Sequence, residues 1–244
     1  MQLELNAVSL RFGQVEALRD ISLRTQSGEV TCLLGDNGAG KSSVIRVLSG
    51  VHRPTSGSYS IDGHAVHLAS PRDALARGIA TVHQDLGLIP LMSVWRNFVL
   101  GGEPTAGNVF WKRIDIRSAR TLAVHAMAEL GITVNDVDQP VGNMSGGERQ
   151  SLAIARAMQR GARILILDEP TAALAVKQAE IVLGNVVKTK ARGIGVVLVT
   201  HNPEHAYRVG DSFVVLRQGR VVARVQRSDA DAQILARLMS GTDG

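Results

Sequence analysis

The segment from Gly35 to Ser42 constrains the fold of this chain more than any other feature of the sequence. It fits the pattern G-x-x-x-x-G-K-[ST], directly after the apolar run 30–34 and before a segment, about 40 to 49, expected to be helical. In that setting, glycines let backbone N–H groups surround phosphate oxygens. The sequence therefore predicts a phosphate-binding loop, with Lys41 reaching the β- and γ-phosphates of a nucleotide and the Ser42 hydroxyl coordinating Mg²⁺.

Strands and helices alternate through most of the remaining sequence. Short apolar runs predict strands, and segments with apolar residues at helical spacing predict helices. Strands that are connected through helices form parallel sheets with right-handed crossovers. We therefore predict a mainly parallel sheet, with strands at 30–34, 79–83, 163–167 and 194–199 and helices at about 40–49, from Ser70-Pro71 onward and at about 175–191.

Other regions depart from this alternation. Apolar residues alternate over 3–10 and 18–25, and the strand Gly57 to Ile61 runs into the turn Asp62-Gly63, which together indicate an antiparallel sheet. The stretch from about 86 to 160 carries helical spacing over Arg117 to Leu130 and over 146–159, which predicts an inserted helical subdomain. We expect one α/β domain over residues 1–244, with a nucleotide-binding core and antiparallel β part in 1–85 and 161–244, a helical subdomain in 86–160, and a tail of two short strands (213–217, 220–225) and a helix near 229–239.

The composition argues against several classes of protein. Cys32 is the single cysteine, which excludes a disulfide framework and fits a reducing cytosol, and its place in an apolar run predicts a core residue. The net charge of +5 is spread along the chain and aromatic residues make up only 3%, so we expect no nucleic-acid partner. We see no secretory signal at the start and no apolar run near the ~18 residues that a membrane helix needs. The chain itself is therefore not expected to span a membrane.

Polar residues follow three of the predicted strands. Asp168 and Glu169 follow 163–167, His201 follows 194–199 and Gln84 follows 79–83. Ligands bind beyond the carboxyl ends of parallel strands. We predict that Asp168 holds the metal through its water shell and that Glu169 takes a proton from the attacking water. His201 follows a strand that neighbours the strand of Asp168, and the neutral Gln84 amide would meet the metal, the water and the γ-phosphate. The candidate catalytic residues are Glu169, His201, Gln84 and Lys41, and the candidate Mg²⁺ ligands are Ser42, Gln84 and Asp168.

A second anion site is predicted at Ser145-Gly146-Gly147-Glu148. A helix that begins at Ser145 with two glycines leaves several backbone N–H groups unpaired and pointing outward, at the positive end of the helix dipole. A chain with two phosphate sites of different construction is expected to use one for its own nucleotide and to provide the other to a partner.

With these segments in this order, the chain resembles the ATP-binding subunit of ABC transporters over nearly its whole length. Gly35 to Ser42 matches the Walker A motif, Gln84 the Q-loop, Ser145 to Glu148 the signature, Ile164 to Asp168 Walker B, Glu169 the catalytic base and His201 the switch histidine. The resemblance implies a head-to-tail dimer in which each signature completes the partner's ATP site, and an aromatic stack of Phe12 on adenine. The implied ATP contacts are Phe12, Gly35, Asp36, Asn37, Gly38, Ala39, Gly40, Lys41, Ser42 and Ser43, with Ser145, Gly146, Gly147 and Glu148 contributed by the second copy.

Three stretches are similar to monosaccharide importers of the ribose or fructose type: Gly50 to Gly57, Ser70 to Gly78 and Asp168 to Leu174. This resemblance implies a subunit on the cytoplasmic face of the inner membrane, bound to a separate permease and served indirectly by a sugar-binding protein. The segment Leu86 to Leu100 would contact the permease. Such subunits often carry two fused ATPase domains, and this chain has one, so a homodimer or a separate mate is expected.

The chain departs from the family pattern at a few positions. Met144 stands where Leu is usual and Glu148 where Gln is commonest, and both changes are mild because Met is apolar and Glu keeps the side-chain length. His83 replaces an aromatic residue before Gln84, which could alter local packing. Ala175 replaces an aspartate that links the two sites across the dimer, which puts coupling between the sites in doubt.

The function expected from the sequence is ATP hydrolysis that drives import of a small sugar through a membrane permease. One alternative is a soluble ABC ATPase that acts on ribosomes, DNA ends or cluster assembly, although the sequence lacks the tandem domains, coiled-coil insertion or basic stripe that would favour it. A second is a nucleotide switch with little turnover, which Glu169 argues against and Ala175 leaves open. An ABC subunit for another solute is a third, because transported solute does not touch this subunit.

Overall fold

The computed structural model describes residues 1–107, 111 and 113–241 and contains an α/β arrangement of strands and helices. In chain order the strands are β1 (Gln2–Phe12), β2 (Val15–Gln26), β3 (Val30–Leu34), β4 (Ser56–Ile61), β5 (His64–Ala65), β6 (Ile79–Val82), β7 (Thr105–Ala106), β8 (Arg113–Ile114), β9 (Ile164–Asp168), β10 (Gly195–Thr200), β11 (Ser212–Arg217) and β12 (Arg220–Gln226). The α-helices are α1 (Lys41–Leu48), α2 (Pro71–Ala76), α3 (Val94–Val99), α4 (Ile116–Glu129), α5 (Gly146–Gln159), α6 (Val176–Ala191), α7 (Pro203–Val209) and α8 (Ala232–Ser240).

The central sheet has six strands in the order β12-β11-β3-β10-β9-β6. Neighbouring strands are parallel except β11 and β12, which form an antiparallel pair. The strands β3 and β10 are buried along their whole length because both faces of the sheet are covered, which is why they appear in the sequence as continuous apolar runs. The predicted parallel sheet is confirmed, and each of its predicted strands lies within one residue of its observed start and end.

The two faces of this sheet carry different layers. On one face, Leu33, Ile166 and Val199 pack in a core with α1 and the antiparallel strands. On the other face, Leu165 and Leu198 pack in a core to which α3 to α8 contribute. Alternate residues of each strand point to opposite faces, so each strand contributes to both cores.

A four-stranded antiparallel sheet, in the order β2-β1-β4-β5, covers the first of these faces. The turn Asp62-Gly63 joins β4 to β5 with φ of +49° and +78°, as a two-residue hairpin requires. The predicted antiparallel sheet near the start of the chain is therefore confirmed.

Helices predominate between residues 86 and 160. Val94 and Phe98 of α3 are buried in the same core as Leu165 of the central sheet. The predicted helices in this region are confirmed as α4 and α5, whereas the short hairpin of β7 and β8 was not predicted. The division of the chain at residues 86 and 160 stays a prediction.

Cys32 is fully buried in β3, as predicted. Its thiol donates to the carbonyl oxygen of Ala206 at 3.6 Å. Burial raises the pKa of the thiol well above its ordinary value, so the group stays protonated. Among the described residues, no helix combines the length and the hydropathy needed to cross a bilayer.

Candidate active site

The predicted site residues meet along one edge of the central sheet. Because β6, β9, β10 and β3 are adjacent and parallel, the residues that follow their carboxyl ends lie side by side. The sheet order therefore brings together four segments that are far apart in the sequence, which contain Gln84, Glu169, His201 and Gly35.

The loop before α1 adopts a conformation that requires glycine. Gly35 has a φ of +154°, and a Cβ there would lie 2.5 Å from the carbonyl oxygen of Leu216. Lys41 begins α1 with its side chain buried. Its ammonium donates to the carbonyl oxygens of Gly35 at 2.6 Å and of Asp36 at 3.2 Å, so the positive charge lies inside the loop.

Glu169 lies between a cation and an imidazole. Its Oε1 is 3.4 Å from Lys41 Nζ, and its Oε2 is 2.9 Å from His201 Nδ1. The backbone of Glu169 has a φ of +48°, a left-handed conformation that costs a non-glycine residue roughly 1–2 kcal/mol. Strain at a mostly buried carboxylate that contacts both a lysine and a histidine is typical of a group with a chemical role.

Asp168 lies beside Glu169 at the end of β9 and is half-buried. Burial raises the pKa of the Asp168 carboxyl above its ordinary value, His83 and Lys41 oppose the rise, and the charge of Glu169 adds to it. His83 lies close enough to Asp168 to act on that carboxyl, and the expected effect of His83 on local packing stays a prediction. The change from an aromatic residue places an ionisable ring near Asp168.

A cleft of about 600 Å³ opens at this edge of the sheet. The cleft brings together most of the predicted nucleotide and metal contacts: Asp36, Asn37, Gly38, Gly40, Lys41, Ser42, Ser43, Gln84, Asp168 and Glu169. It is also lined by residues that sequence reasoning missed, Val15, Glu16, Ala17, Gln218 and Gly219. No motif marks these five residues, because only tertiary packing brings the β1–β2 and β11–β12 turns to the cleft.

The predicted residues that do not line this cleft include Phe12, Gly35, Ala39 and His201. Ala39 is buried in the core. Phe12 is 40% exposed at the end of β1, and its ring meets the ring of His52 edge to face with centroids 5.0 Å apart. The stack of Phe12 on adenine stays a prediction.

Ser145 and Glu148 cap α5 reciprocally. The Ser145 hydroxyl accepts from the Glu148 N–H at 3.3 Å, and the Glu148 carboxylate accepts from the Ser145 N–H at 2.7 Å. In this capping box the N–H groups of Ser145 and Glu148 are satisfied within the chain, and the anion site at this helix start stays a prediction. The spacing Ser-x-x-Glu in the sequence could have predicted the capping box.

Gly146 and Gly147 have a second role that the sequence did not reveal. A Cβ at Gly146 would lie 2.6 Å from Leu174 Cδ2, and a Cβ at Gly147 would lie 3.2 Å from the Gln178 carbonyl oxygen. The two glycines thus let the start of α5 pack closely against the start of α6. None of Ser145, Gly146, Gly147 and Glu148 lines the cleft.

Ala175 occupies the N-cap position of α6 and has no side-chain hydrogen bond to the helix. Its φ of −64° and ψ of 154° suit a capping residue. We expect Ala175→Asp to raise the free energy of unfolding by about 1 kcal/mol, because an aspartate there accepts from the first-turn N–H groups. Thermal unfolding should show a melting temperature about 2–4 °C higher.

Ala191→Asp is the matched control, since it places the same charge at the other end of α6. It should lower the melting temperature, because a negative charge is unfavourable at a helix C-terminus. Equal effects of the two substitutions would contradict the assignment of a missing cap.

The fold and the site define a P-loop nucleotide-binding protein with a helical region between β6 and β9. The chain belongs to the ABC transporter family, whose model matches residues 18–172. This match confirms the resemblance inferred from the motifs.

Two relatives and one solved structure describe the similarity further. The xylose/arabinose import ATP-binding protein XylG of Sulfolobus acidocaldarius is 37% identical over 98% of this chain and 93% of its own. The ribose import ATP-binding protein RbsA of Corynebacterium glutamicum is 38% identical over 98% of this chain, which spans only 44% of that relative. A dimeric ATP-binding cassette in a post-hydrolysis state with ADP and Pi matches with a TM-score of 0.74 and 25% identity, over 92% of this chain and 98% of that one.

Proposed function

We propose that this chain hydrolyses ATP and that the hydrolysis powers uptake of a small sugar through a separate membrane permease. One observation carries the proposal: Glu169 is held between Lys41 and His201 at the mouth of a cleft that begins at a phosphate-binding loop. A carboxylate in this position can accept a proton from water, which is the role that hydrolysis requires.

Each residue around Glu169 has a role that its position supports. Lys41 would contact the β- and γ-phosphates and offset the charge that develops on them. His201 is hydrogen-bonded to Glu169 and would orient the attacking water and the γ-phosphate. Gln84 lines both the cleft and the adjoining pocket beside the start of α5, so its amide can contact groups in either of them.

The residues of the cleft fit a magnesium ion. Ser42, Gln84 and Asp168 line it together and offer hydroxyl, amide and carboxylate oxygens, which are the donors that Mg²⁺ prefers. Among the described residues no group of three or more His, Cys, Asp and Glu side chains could hold a metal. A site of so few protein ligands suits Mg²⁺, which keeps several waters and binds phosphate oxygens. When bound, the ion would neutralise charge on the phosphates.

A second copy of the chain would complete the site. The segment Ser145 to Glu148, at the start of α5, does not line the cleft of its own chain. Of its four residues, only Gly146 lines the adjoining pocket. A helix start suits an anion that another chain presents. The dimeric arrangement of the ADP- and Pi-bound cassette supports a dimer of this chain.

The class of solute is inferred from the relatives. Their names describe import of xylose or arabinose and of ribose, and the similarity covers nearly all of this chain. We therefore propose a pentose or related monosaccharide, delivered by a sugar-binding protein, and a location on the cytoplasmic face of the inner membrane.

The loop between Gln84 and α3 would bind the permease. Within the segment Leu86 to Leu100, Leu91 is 91% exposed and Ile89 44% exposed, whereas Val94 and Phe98 are buried. Exposed leucine and isoleucine side chains at the rim of a helical region suit contact with an apolar partner surface. The proposed contact is therefore Leu91 and its neighbours.

Sugar uptake tests the function directly. The chain is reconstituted in vesicles with the permease and the sugar-binding protein whose genes adjoin its own, with ATP on the side of the chain. We expect ATP-dependent uptake of a monosaccharide.

Leu91→Glu tests the proposed permease contact. It should weaken permease binding at least about tenfold, since burial of a leucine contributes roughly 1.5–3 kcal/mol.

Val124→Glu on α4 is the matched control, because Val124 is also exposed and lies outside the loop. It should leave permease binding and uptake unchanged. ATP turnover without uptake of any monosaccharide would contradict the proposed transport function and favour a soluble ABC ATPase or another solute.

A further inference from the structure

Loop 169–175 is linked to the segment around His201 at a second point beyond Glu169. Thr171 Oγ1 and His205 Nδ1 are hydrogen-bonded to each other at 3.0 Å, and Thr171 is only 7% exposed. The first link is the hydrogen bond between Glu169 and His201. Glu169 precedes Thr171 by two residues in the loop, and His201 precedes His205 by four residues in the segment after β10. Two parallel links therefore connect the loop that carries Glu169 to the turn that carries His201.

His205 is itself firmly attached to the turn that contains His201. Its backbone N–H donates to Asn202 Oδ1 at 3.0 Å, which caps α7. The N–H of Asn202 donates in turn to Thr200 Oγ1 at 3.1 Å, at the end of β10. These bonds tie the backbone of His205 to the end of β10, and its imidazole is hydrogen-bonded to Thr171.

Loop 169–175 needs such support because part of its backbone is strained. Glu169 and Ala173 both have left-handed conformations, with φ of +48° and +58°. Non-glycine residues keep such conformations only where their surroundings impose them. Thr171 lies midway between the two, and the N–H of Ala172 next to it donates to the carbonyl oxygen of Glu169 at 3.0 Å.

We propose that His205, through Thr171, is a positioning residue that holds Glu169 in its strained conformation and so keeps the carboxylate aligned with His201 and Lys41. The inference rests on the proposed hydrolytic role of Glu169. His205 does not line the cleft, and its effect reaches the reacting atoms only through the loop. Small displacements of a positioned base are costly in rate, so the link should affect kcat and leave the binding of ATP unchanged.

The test compares Thr171→Val, His205→Ala, His205→Asn and the double variant Thr171→Val/His205→Ala in the full-length protein. Each of the first two should lower kcat about five- to tenfold, as the loss of one buried hydrogen bond near 1 kcal/mol implies, with KM for ATP unchanged. His205→Asn should recover kcat to within about twofold of wild type, since its amide can replace Nδ1. The double variant should lose no more than either single variant, because both remove the same link.

Thr189→Val is the matched control. Thr189 is a fully buried threonine of α6 whose hydroxyl donates to the Asn185 carbonyl oxygen, so the same substitution there lowers stability without touching loop 169–175. Its kcat should equal that of wild type. The proposal would be overturned if the fold-losses in kcat of the two single variants multiplied in the double variant. It would also be overturned if Thr171→Val had the same kcat as Thr189→Val.

Hydrogen exchange separates this inference from the proposed function. The Ala172 amide should exchange about tenfold faster in Thr171→Val than in wild type and be unchanged in Thr189→Val, because the link holds the turn that protects this amide. This result holds whether or not the chain hydrolyses ATP. Wild-type protein without turnover would refute the proposed function, whereas unchanged exchange at Ala172 would refute the positioning role.

Discussion

Glu169→Gln is expected to lower the turnover of ATP by about three orders of magnitude, because glutamine keeps the shape of the side chain but cannot accept a proton from water. The loss should appear in kcat. Affinity for ATP should stay the same or increase, since the substitution removes a carboxylate 3.4 Å from Lys41 Nζ and leaves the ammonium free for phosphate. Phosphate release measures the first effect, and equilibrium binding of a fluorescent ATP analogue measures the second.

Glu129→Gln provides the control for this prediction. Glu129 lies on the surface of α4, where it pairs with Arg192, so the same chemical change there should leave turnover and binding as in wild type. If Glu169→Gln hydrolysed ATP at the wild-type rate, Glu169 would not be the general base. Turnover at background in wild type, with no further loss in Glu169→Gln, would instead favour the nucleotide switch.

Ser145→Arg is expected to leave the binding of ATP by the monomer intact and to abolish turnover by the dimer, a loss of at least about a hundredfold. The substitution removes the hydroxyl that caps α5 and places a long side chain where the second chain would present its nucleotide. Ser145 does not line the cleft of its own chain, so the monomer keeps its nucleotide contacts. Binding is measured at protein concentrations below dimer formation, and turnover above it.

Loss of the cap costs roughly 0.5–2 kcal/mol by itself, so the prediction needs a control for stability. Asp231→Arg removes the N-cap of α8, whose carboxylate accepts from the Ile234 N–H, and Asp231 does not line the cleft. This variant should be destabilised to a similar degree and still hydrolyse ATP normally. Normal turnover by Ser145→Arg would refute the shared site, and impaired binding by its monomer would indicate a defect in folding.

The strands of the central sheet, and the polar residues that follow them, could be predicted from the sequence because the patterns that mark them are local. Continuous apolar runs such as 164–167 and 195–199 are typical of strands buried on both faces, and parallel strands place their carboxyl ends at one edge. Asp168, Glu169 and His201 could therefore be placed together from their positions after those runs.

The contacts between those residues could not be predicted, because no local pattern encodes them. The pairing of Lys41 with Glu169 depends on how β3 and β9 are spaced across β10. The hydrogen bond between Thr171 and His205 joins residues 34 positions apart, and no pattern in the sequence pairs them. The β7–β8 hairpin is too short for its alternation to stand out from a loop.

The central claim is that an active site forms from two chains, and a mixture of two inactive variants tests it most directly. A dimer of Glu169→Gln with Ser145→Arg contains one site with both defects and one site with neither, because the second chain's own Glu169 meets the first chain's Ser145. Random mixing of equal amounts should restore about a quarter of wild-type turnover if the two sites act independently, as the absence of the linking aspartate at position 175 leads us to expect. Turnover of the mixture that stays at the sum of the two separate variants would contradict the shared site.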